Sequence, residues 1–196
     1  MNLLSSTSIF SFFTLISRIL GYVRDILIAV FLGASIYADA FFVAFRLPNT
    51  FRRLFAEGTF NAAFVPSYTS ELAKSKSKSK RFANEIFSLL LLGLMFLVLV
   101  IEIFMPVFIS LIAPGFVEDK KKIELAIDLT RITFSFLMFV SLSSFFAAIL
   151  NSHNKFAAAS AAPIILNIVL IIILIFGNYL GDDLIYFMSY GVSLAG

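Results

Sequence analysis

The sequence predicts an all-α fold, a polytopic transmembrane helix bundle with five complete spans and the start of a sixth. Hydrophobic residues make up 60% of the 196 residues and charged residues 14%, whereas a soluble domain is roughly 45–50% apolar and about 25% charged. The apolar residues also form unbroken runs. Because a helix needs about 20 apolar residues to cross the hydrocarbon core, these runs are long enough to be membrane spans.

The predicted spans follow one another along the whole chain, 1–196. They are residues 8–32, 38–68, 86–112, 123–150, 157–180 and 184–196. The third span carries a single charge, Glu102, which we interpret as a helix-interface or near-boundary residue, and the fifth carries none. The sixth has 13 residues, too few to cross a membrane at about 1.5 Å per residue. The chain is therefore expected to be the N-terminal portion of a longer protein.

Lysine and arginine residues outside the spans predict the orientation. The stretch "AKSKSKSKR" (Ala73–Arg81) holds five cations, and Lys155 lies in the turn "NSHNK" on the same side. The opposite side has Lys120, Lys121 and Lys122. The positive-inside rule then places the N-terminus in the cytoplasm. The lysine-rich stretch has two interpretations, a solvated flexible linker, which is favoured, or a patch that binds lipid headgroups.

The first two spans carry charges that cannot face lipid. Asp39, Arg46 and Arg53 are seven residues apart and Glu57 follows four later, so one helix would place all four on a single stripe. A charge at the bilayer centre costs at least a few kcal/mol. The ionisable residues of these spans should therefore face a polar cavity or one another. They are Arg18, Arg24, Asp25, Asp39, Arg46, Arg52, Arg53 and Glu57.

The balance of these charges favours an anionic ligand. Five arginines face three carboxylates, which leaves two positive charges without a counterion. The planar guanidinium donates two parallel hydrogen bonds to a phosphate and does not lose its charge. A phosphate-bearing ligand is therefore favoured over a purely structural network, in which Arg18 would pair with Asp25 or Asp39, and Arg53 with Glu57.

Three long stretches of the sequence resemble one known family. "SRILGYVRDILIAVFLGAS" with "ADAFFVAFRLPNTFRRLFAEGTFNAAFVPSY", and later "ILNSHNKFAAASAAPIILNI", are similar in order, spacing and residue type to the N-terminal part of the MurJ (MviN) lipid II flippases. These belong to the multidrug/oligosaccharidyl-lipid/polysaccharide exporter superfamily. The resemblance covers essentially the whole chain.

The resemblance implies a two-lobed transporter of the inner, cytoplasmic membrane. It would move a lipid-linked oligosaccharide pyrophosphate, lipid II, from the cytoplasmic to the periplasmic leaflet by alternating access. Its partners would be lipid II, membrane lipids and a C-terminal lobe outside this chain, with no cofactor, metal or nucleic acid. Substrate-binding residues carried over by motif position are Arg18, Arg24, Asp39 and Arg52, with Arg53 and Glu57 at cavity-side or gate positions.

Two other functions stay open as alternatives. One is a cation-coupled drug or other polysaccharide-lipid exporter of the same superfamily, against which the positive surplus argues. The other is a membrane scaffold, which would not need intramembrane charges. An enzyme is not expected, because the sequence has no nucleophile–base pair and no glycine-rich phosphate loop. His153, the single histidine, is interpreted as a surface residue.

Overall fold

The computed structural model describes residues 3–52, 59–153 and 155–196. Over these ranges the chain is helical and has no strand, which confirms the predicted all-α fold. Two 3₁₀ turns, at Pro114–Phe116 and Gly181–Asp183, interrupt the helices. The helices are α1 (Leu3–Leu32), α2 (Ile36–Arg52), α3 (Thr59–Lys74), α4 (Lys76–Ile103), α5 (Met105–Ile112), α6 (Lys120–Ser152), α7 (Phe156–Ile175), α8 (Gly177–Leu180) and α9 (Leu184–Leu194).

Consecutive helices are not the main packing partners. Instead, α1 packs along α7, and α2 packs along α6, while α1 and α2 touch each other only slightly. The side chain of Asn167 reaches Ser17, and Phe31 lies beside Gly177, so α1 and α7 run parallel. The two N-terminal helices are therefore each held by contacts with residues more than 80 positions away in sequence.

Small residues bring α2 close to α6. Ala40 and Ala44 are four residues apart on α2 and have no exposed surface. Such small residues let two helix backbones approach closely in a membrane protein. At this contact the Thr133 hydroxyl of α6 donates a 2.8 Å hydrogen bond to the Ala44 carbonyl. Further along, Phe51 meets the ring of Phe134 edge-on at 5.8 Å between centroids.

The last helix, α9, lies against both α6 and α7. Ser193 donates to the carbonyl of Ile132 on α6. On the α7 side, a Cβ at Gly191 would come within 2.4 Å of Ile173 Cδ1 and 3.3 Å of Val169 Cγ1. Glycine at this position is what allows α9 to approach α7.

The predicted span 38–68 corresponds to two described helices. Asp39 and Arg46 both lie on α2, and α3 continues past residue 68 to Lys74. Residues 53–58 between them, which include Arg53 and Glu57, are outside the described residues. The single stripe from Asp39 to Glu57 therefore stays a prediction.

The flexible-linker interpretation of the lysine-rich stretch is wrong. Only Ser75 separates α3 from α4, and its hydroxyl accepts a 3.2 Å hydrogen bond from the Ser77 amide as the N-cap of α4. Ser79, in the second turn, is 2% exposed. The lysines alternate with serines, of which Ser75 caps the helix and Ser79 packs against the protein, so this stretch is ordered as the end of α3 and the first turns of α4.

The predicted span 86–112 is interrupted near its end. Helix α4 ends at Ile103, and α5 begins at Met105. Pro106, in the first turn of α5, has no N–H to donate to the carbonyl four residues earlier, which explains a break at this point.

Two helices in the described residues are long and apolar enough to cross a membrane by length and composition, Lys76–Ile103 and Lys120–Ser152. Shorter apolar helices are Pro163–Ile175 and Leu184–Leu194. Helix α1 has 30 residues and carries the three charges of Arg18, Arg24 and Asp25. The number of spans, five and part of a sixth, stays a prediction.

Candidate functional site

The guanidinium of Arg24 lies between three helices. It projects from α1, its side chain is 15% exposed, and its NH1 donates a 2.8 Å hydrogen bond to Asn167 Oδ1 on α7. Nε and NH2 both donate to Asp25 Oδ1, at 2.9 and 2.7 Å. The carbon of the guanidinium lies 5.4 Å from the centroid of the Phe45 ring on α2. These contacts fix the plane of the cation, which a single ion pair would not do.

Asn167 is the residue that sets this arrangement. It is 6% exposed, and while its Oδ1 accepts from Arg24, its Nδ2 donates a 3.0 Å hydrogen bond to the Ser17 carbonyl. Sequence reasoning did not identify it. The sequence did contain an indication of its role. The predicted span 157–180 is largely apolar, and Asn167 lies in its middle, whereas its other asparagine, Asn178, lies near its end. A polar side chain inside a membrane span is costly and calls for a partner.

An open cavity of about 470 Å³ lies along α2 beside this cluster. Its lining residues are Phe42, Phe45, Arg46, Asn49 and Thr50. Phe45 belongs both to the cavity wall and to the Arg24 contact, so the two features are neighbours. Within the described residues the Arg46 side chain is exposed and has no hydrogen-bond or ion-pair partner. The cavity thus offers a free cation, an amide and a hydroxyl beside aromatic rings.

Arg18 is a second arginine without a counterion. It is exposed on α1, and in the described part of the chain no side chain forms a hydrogen bond or ion pair with it. Six residues separate it from Arg24, which turns the two side chains about 120° apart on a helix. The structural alternative in which Arg18 pairs with Asp25 or Asp39 is therefore wrong, since these carboxylates bind Arg24 and Lys122.

Asp39 has a partner that the sequence did not predict. Its Oδ2 accepts from Lys122 Nζ at 2.5 Å, and the ammonium also lies 4.4 Å from the centroid of the Phe116 ring. Lys122 is in the first turn of α6, so the pair joins the starts of α2 and α6. Among the described residues no contact joins any two of Arg18, Arg24 and Asp39. Their orientation toward one shared cavity stays a prediction.

The remaining predicted site residues are described only in part or not at all. Arg52 is the last residue of α2, and its side chain is outside the described part. Arg53 and Glu57 lie in the segment 53–58, also outside it. The structure therefore leaves the proposed substrate contacts of these three residues untested.

Two other polar residues, His153 and Glu102, each contact a side chain of another helix. His153 is exposed as predicted, and its Nε2 lies 3.1 Å from the Tyr68 hydroxyl of α3, which the sequence did not reveal. Glu102 Oε2 lies 3.8 Å from Arg131 Nε, which confirms its interpretation as a helix-interface residue between α4 and α6.

The charges of the described site leave a positive surplus. Asp25 binds Arg24 and Asp39 binds Lys122, so both described carboxylates already have a cation. Arg18 and Arg46 then have no counterion within the described residues. Each of these two guanidinium groups can donate in a planar fork to an anion that has two or more acceptor oxygens.

Comparison with known proteins identifies one family. The family described as "Lipid II flippase MurJ" matches residues 28–196. A "Probable lipid II flippase MurJ" of Rickettsia prowazekii (strain Madrid E) is 45% identical over 195 residues, 99% of this chain and 38% of the relative. One of Rhizobium tropici is 44% identical over 93% of this chain and 35% of the relative. The chain thus spans less than two fifths of these relatives' length.

A solved structure has the same fold. It is titled "Lipid II flippase MurJ, inward closed conformation", is 32% identical, and superposes with a TM-score of 0.74. The match covers 95% of this chain and 40% of that one. Since the family match extends over most of the sequence, this chain belongs to the lipid II flippase MurJ family.

Proposed function

We propose that the chain forms the N-terminal part of a flippase that moves lipid II from the cytoplasmic to the periplasmic leaflet by alternating access. The observation that carries the proposal is the unneutralised Arg46 in an open cavity beside the anchored Arg24. Such a cavity suits the pyrophosphate of a lipid-linked sugar, because one guanidinium group can donate two parallel hydrogen bonds to the oxygens of a phosphate. Phe42 and Phe45, which also line the cavity, would contact the apolar parts of the substrate.

The proposed substrate-binding residues are Arg18, Arg24, Arg52, Arg53, Asp39 and Glu57, and Arg46 of the cavity wall is added to them. The arginines would contact phosphate directly. A carboxylate would repel the same anion, so the role proposed for Asp39 is to position α2 through Lys122. The chain lies in the inner membrane with its N-terminus cytoplasmic, and a C-terminal lobe supplies the other wall of the cavity. The coverage of only 38% of a relative supports a partner lobe.

A drug exporter of the same superfamily is less well supported. A cationic drug needs a free carboxylate, and both described carboxylates near the cavity are paired, Asp25 with Arg24 and Asp39 with Lys122. The free Arg46 in the cavity wall would repel a cation. The chemistry of the cavity therefore favours an anionic substrate.

A chimera tests the proposed function. This chain would replace the aligned 195 residues of the Rickettsia prowazekii relative. The chimera is produced in bacteria depleted of their own flippase, and growth is measured together with the lipid II accessible at the outer leaflet. We expect growth with the chimera and none with its Arg24→Ala variant at equal abundance. The proposal is wrong if the chimera fails at normal abundance while the unaltered relative supports growth.

A further inference from the structure

Helix α2 has a proline in its interior. Pro48 is buried, and because proline has no N–H, the carbonyl four residues earlier, that of Ala44, receives no hydrogen bond from its own helix at this position. Ala44 has no exposed surface, so water does not supply the missing donor. A buried carbonyl without a donor is unfavourable, above all at membrane depth. The break at Pro48 therefore calls for a donor from another part of the chain.

Thr133 of α6 supplies this donor. Its hydroxyl lies 2.8 Å from the Ala44 carbonyl and 3.2 Å from the Thr130 carbonyl. The Thr130 carbonyl lies inside α6, where the backbone N–H of the residue four positions later serves it. Thr133 has no exposed surface, so its hydroxyl has no access to solvent. The shorter bond, to α2, thus takes the place of the backbone N–H that Pro48 lacks.

Side chains also donate to the next two carbonyls of the same turn. Asn49 Nδ2 donates a 3.0 Å hydrogen bond to the Phe45 carbonyl, and the Thr50 hydroxyl donates a 2.9 Å bond to the Arg46 carbonyl. Three consecutive carbonyls ahead of Pro48 therefore accept from side chains. Such bonds bend a helix, because they pull its carbonyls away from the regular backbone ladder. The first of the three is the one whose donor comes from another helix, so it ties the path of α2 to α6.

This turn of α2 carries the wall of the cavity. The residues that line the cavity lie on both sides of Pro48 and are Phe42, Phe45, Arg46, Asn49 and Thr50. Arg24, in contrast, is fixed on α1 by its bond to Asn167 of α7. The separation of the Arg24 and Arg46 guanidinium groups therefore depends on the path that α2 takes at its proline.

We propose that Thr133 is a positioning residue for transport, whose hydroxyl holds the Pro48 turn of α2 so that Arg46 and Arg24 face the same substrate. Thr133 is fully buried and does not contact the substrate, so it acts through the Ala44 carbonyl. This inference rests on the proposed function and adds to it a residue outside the cavity. The role needs a hydrogen-bond donor and not only bulk, because a donor is what the proline removes.

Variants of the full-length chimera separate the hydroxyl of Thr133 from its volume. Thr133→Val keeps the shape and removes the donor, whereas Thr133→Ser keeps the donor. Thr130→Val is the matched control, because Thr130 is equally buried on α6 and its hydroxyl donates to Ala126 of the same helix. The double variant Thr133→Val with Pro48→Ala returns a donor from α2 itself, since alanine at position 48 has a backbone N–H.

Transport is measured as the lipid II accessible at the outer leaflet per molecule of chimera. We expect Thr133→Val to lower it about tenfold, the size expected when one buried acceptor loses its donor, and Thr133→Ser and Thr130→Val to stay within about twofold. The double variant should transport as well as Pro48→Ala alone. Unchanged transport by Thr133→Val, or a double variant far below Pro48→Ala alone, overturns the proposal.

Amide hydrogen exchange of the purified chimeras provides a measurement that does not need transport. In Thr133→Val the α2 peptide that contains Pro48 should exchange about ten times faster than in the unaltered chimera, and peptides of α9 should not change. Adding Pro48→Ala should reverse the increase. If the unaltered chimera does not transport, the proposed function is wrong, and the exchange rates alone decide whether Thr133 holds the turn. Equal exchange of the α2 peptide in Thr133→Val and the unaltered chimera overturns the inference.

Discussion

The Arg24 guanidinium donates a 2.8 Å hydrogen bond to Asn167 Oδ1, joining α1 and α7 across 143 residues of sequence. The amide of the same asparagine donates to the Ser17 carbonyl, so it binds α1 at two points. The orientation of the arginine is therefore determined by α7 together with Asp25 of α1 and the Phe45 ring of α2.

Arg24→Lys should impair transport and Arg24→Ala should abolish it. A lysine is a point charge and cannot contact Asn167, Asp25 and a phosphate with one planar fork. The measurement is growth of depleted cells with the chimera, with protein levels checked by blot. Arg81→Lys, at a side chain that is 84% exposed, is the matched control and should grow normally. Nearly normal growth with Arg24→Lys would show that Arg24 only balances a carboxylate.

Asn167→Leu should lower the free energy of unfolding by about 1–3 kcal/mol, because it leaves a donor of the largely buried Arg24 without a partner. It should also reduce transport, since the cation loses its fixed plane. Thermal unfolding of the purified chain in detergent measures the first effect. Asn84→Leu, at an exposed position of α4, should change stability by no more than about 0.5 kcal/mol. Equal stability of the two variants would contradict the positioning role of Asn167.

Exchanging the charges of both Asp39 and Lys122 should restore the stability that is lost when only one of the two is reversed. Asp39→Lys and Lys122→Asp each place like charges together at the junction of α2 and α6. The side chains are 53% and 20% exposed, so solvent screens the pair and we expect a coupling energy of about 0.5–1 kcal/mol in a double-mutant cycle. The exposed pair Lys120–Glu124, at 4.0 Å, should give a coupling near zero. If the double variant is no more stable than either single variant, the contact between Asp39 and Lys122 is disproved.

Gly191→Leu should destabilise the chain by about 1–3 kcal/mol. A side chain here meets Ile173 and Val169 of α7, and overpacking a helix contact has a cost of that size. Gly93→Leu is the matched control, because nothing lies within 4 Å of its added Cβ and leucine is the better helix former. Unfolding temperatures in detergent should therefore move in opposite directions. A loss at position 93 as large as at position 191 would show that the contact of α9 with α7 is not the cause.

Much of the candidate site could be predicted from local sequence. Arg18, Arg24, Asp39 and Arg46 were found because a charge inside an apolar run is costly wherever the helix packs. Asn167, Phe45 and Lys122 were not found. Their roles come from contacts between α1, α2, α6 and α7, and no periodicity within one helix indicates which other helix it will meet.

The lysine-rich stretch shows why composition was misleading at one point. Alternating lysine and serine residues are typical of a solvated linker. In the structure Ser75 caps α4 and Ser79 is buried. These two serines therefore stabilise a helix, although the same residues would be solvated if the stretch were a loop. A hydroxyl that caps a helix and one that is exposed in a loop have the same appearance in a sequence.

By itself, the sequence determined that this chain is all-α, that it is apolar enough for a membrane, and which charges need a partner. These properties depend on the transfer free energy of each residue, which is a local quantity. Only the tertiary structure decided the partners, pairing Arg24 with Asn167 and Asp25, and Asp39 with Lys122. The reason is that an ion pair or hydrogen bond needs two groups within about 3–4 Å, and the packing of small residues between distant helices sets those distances.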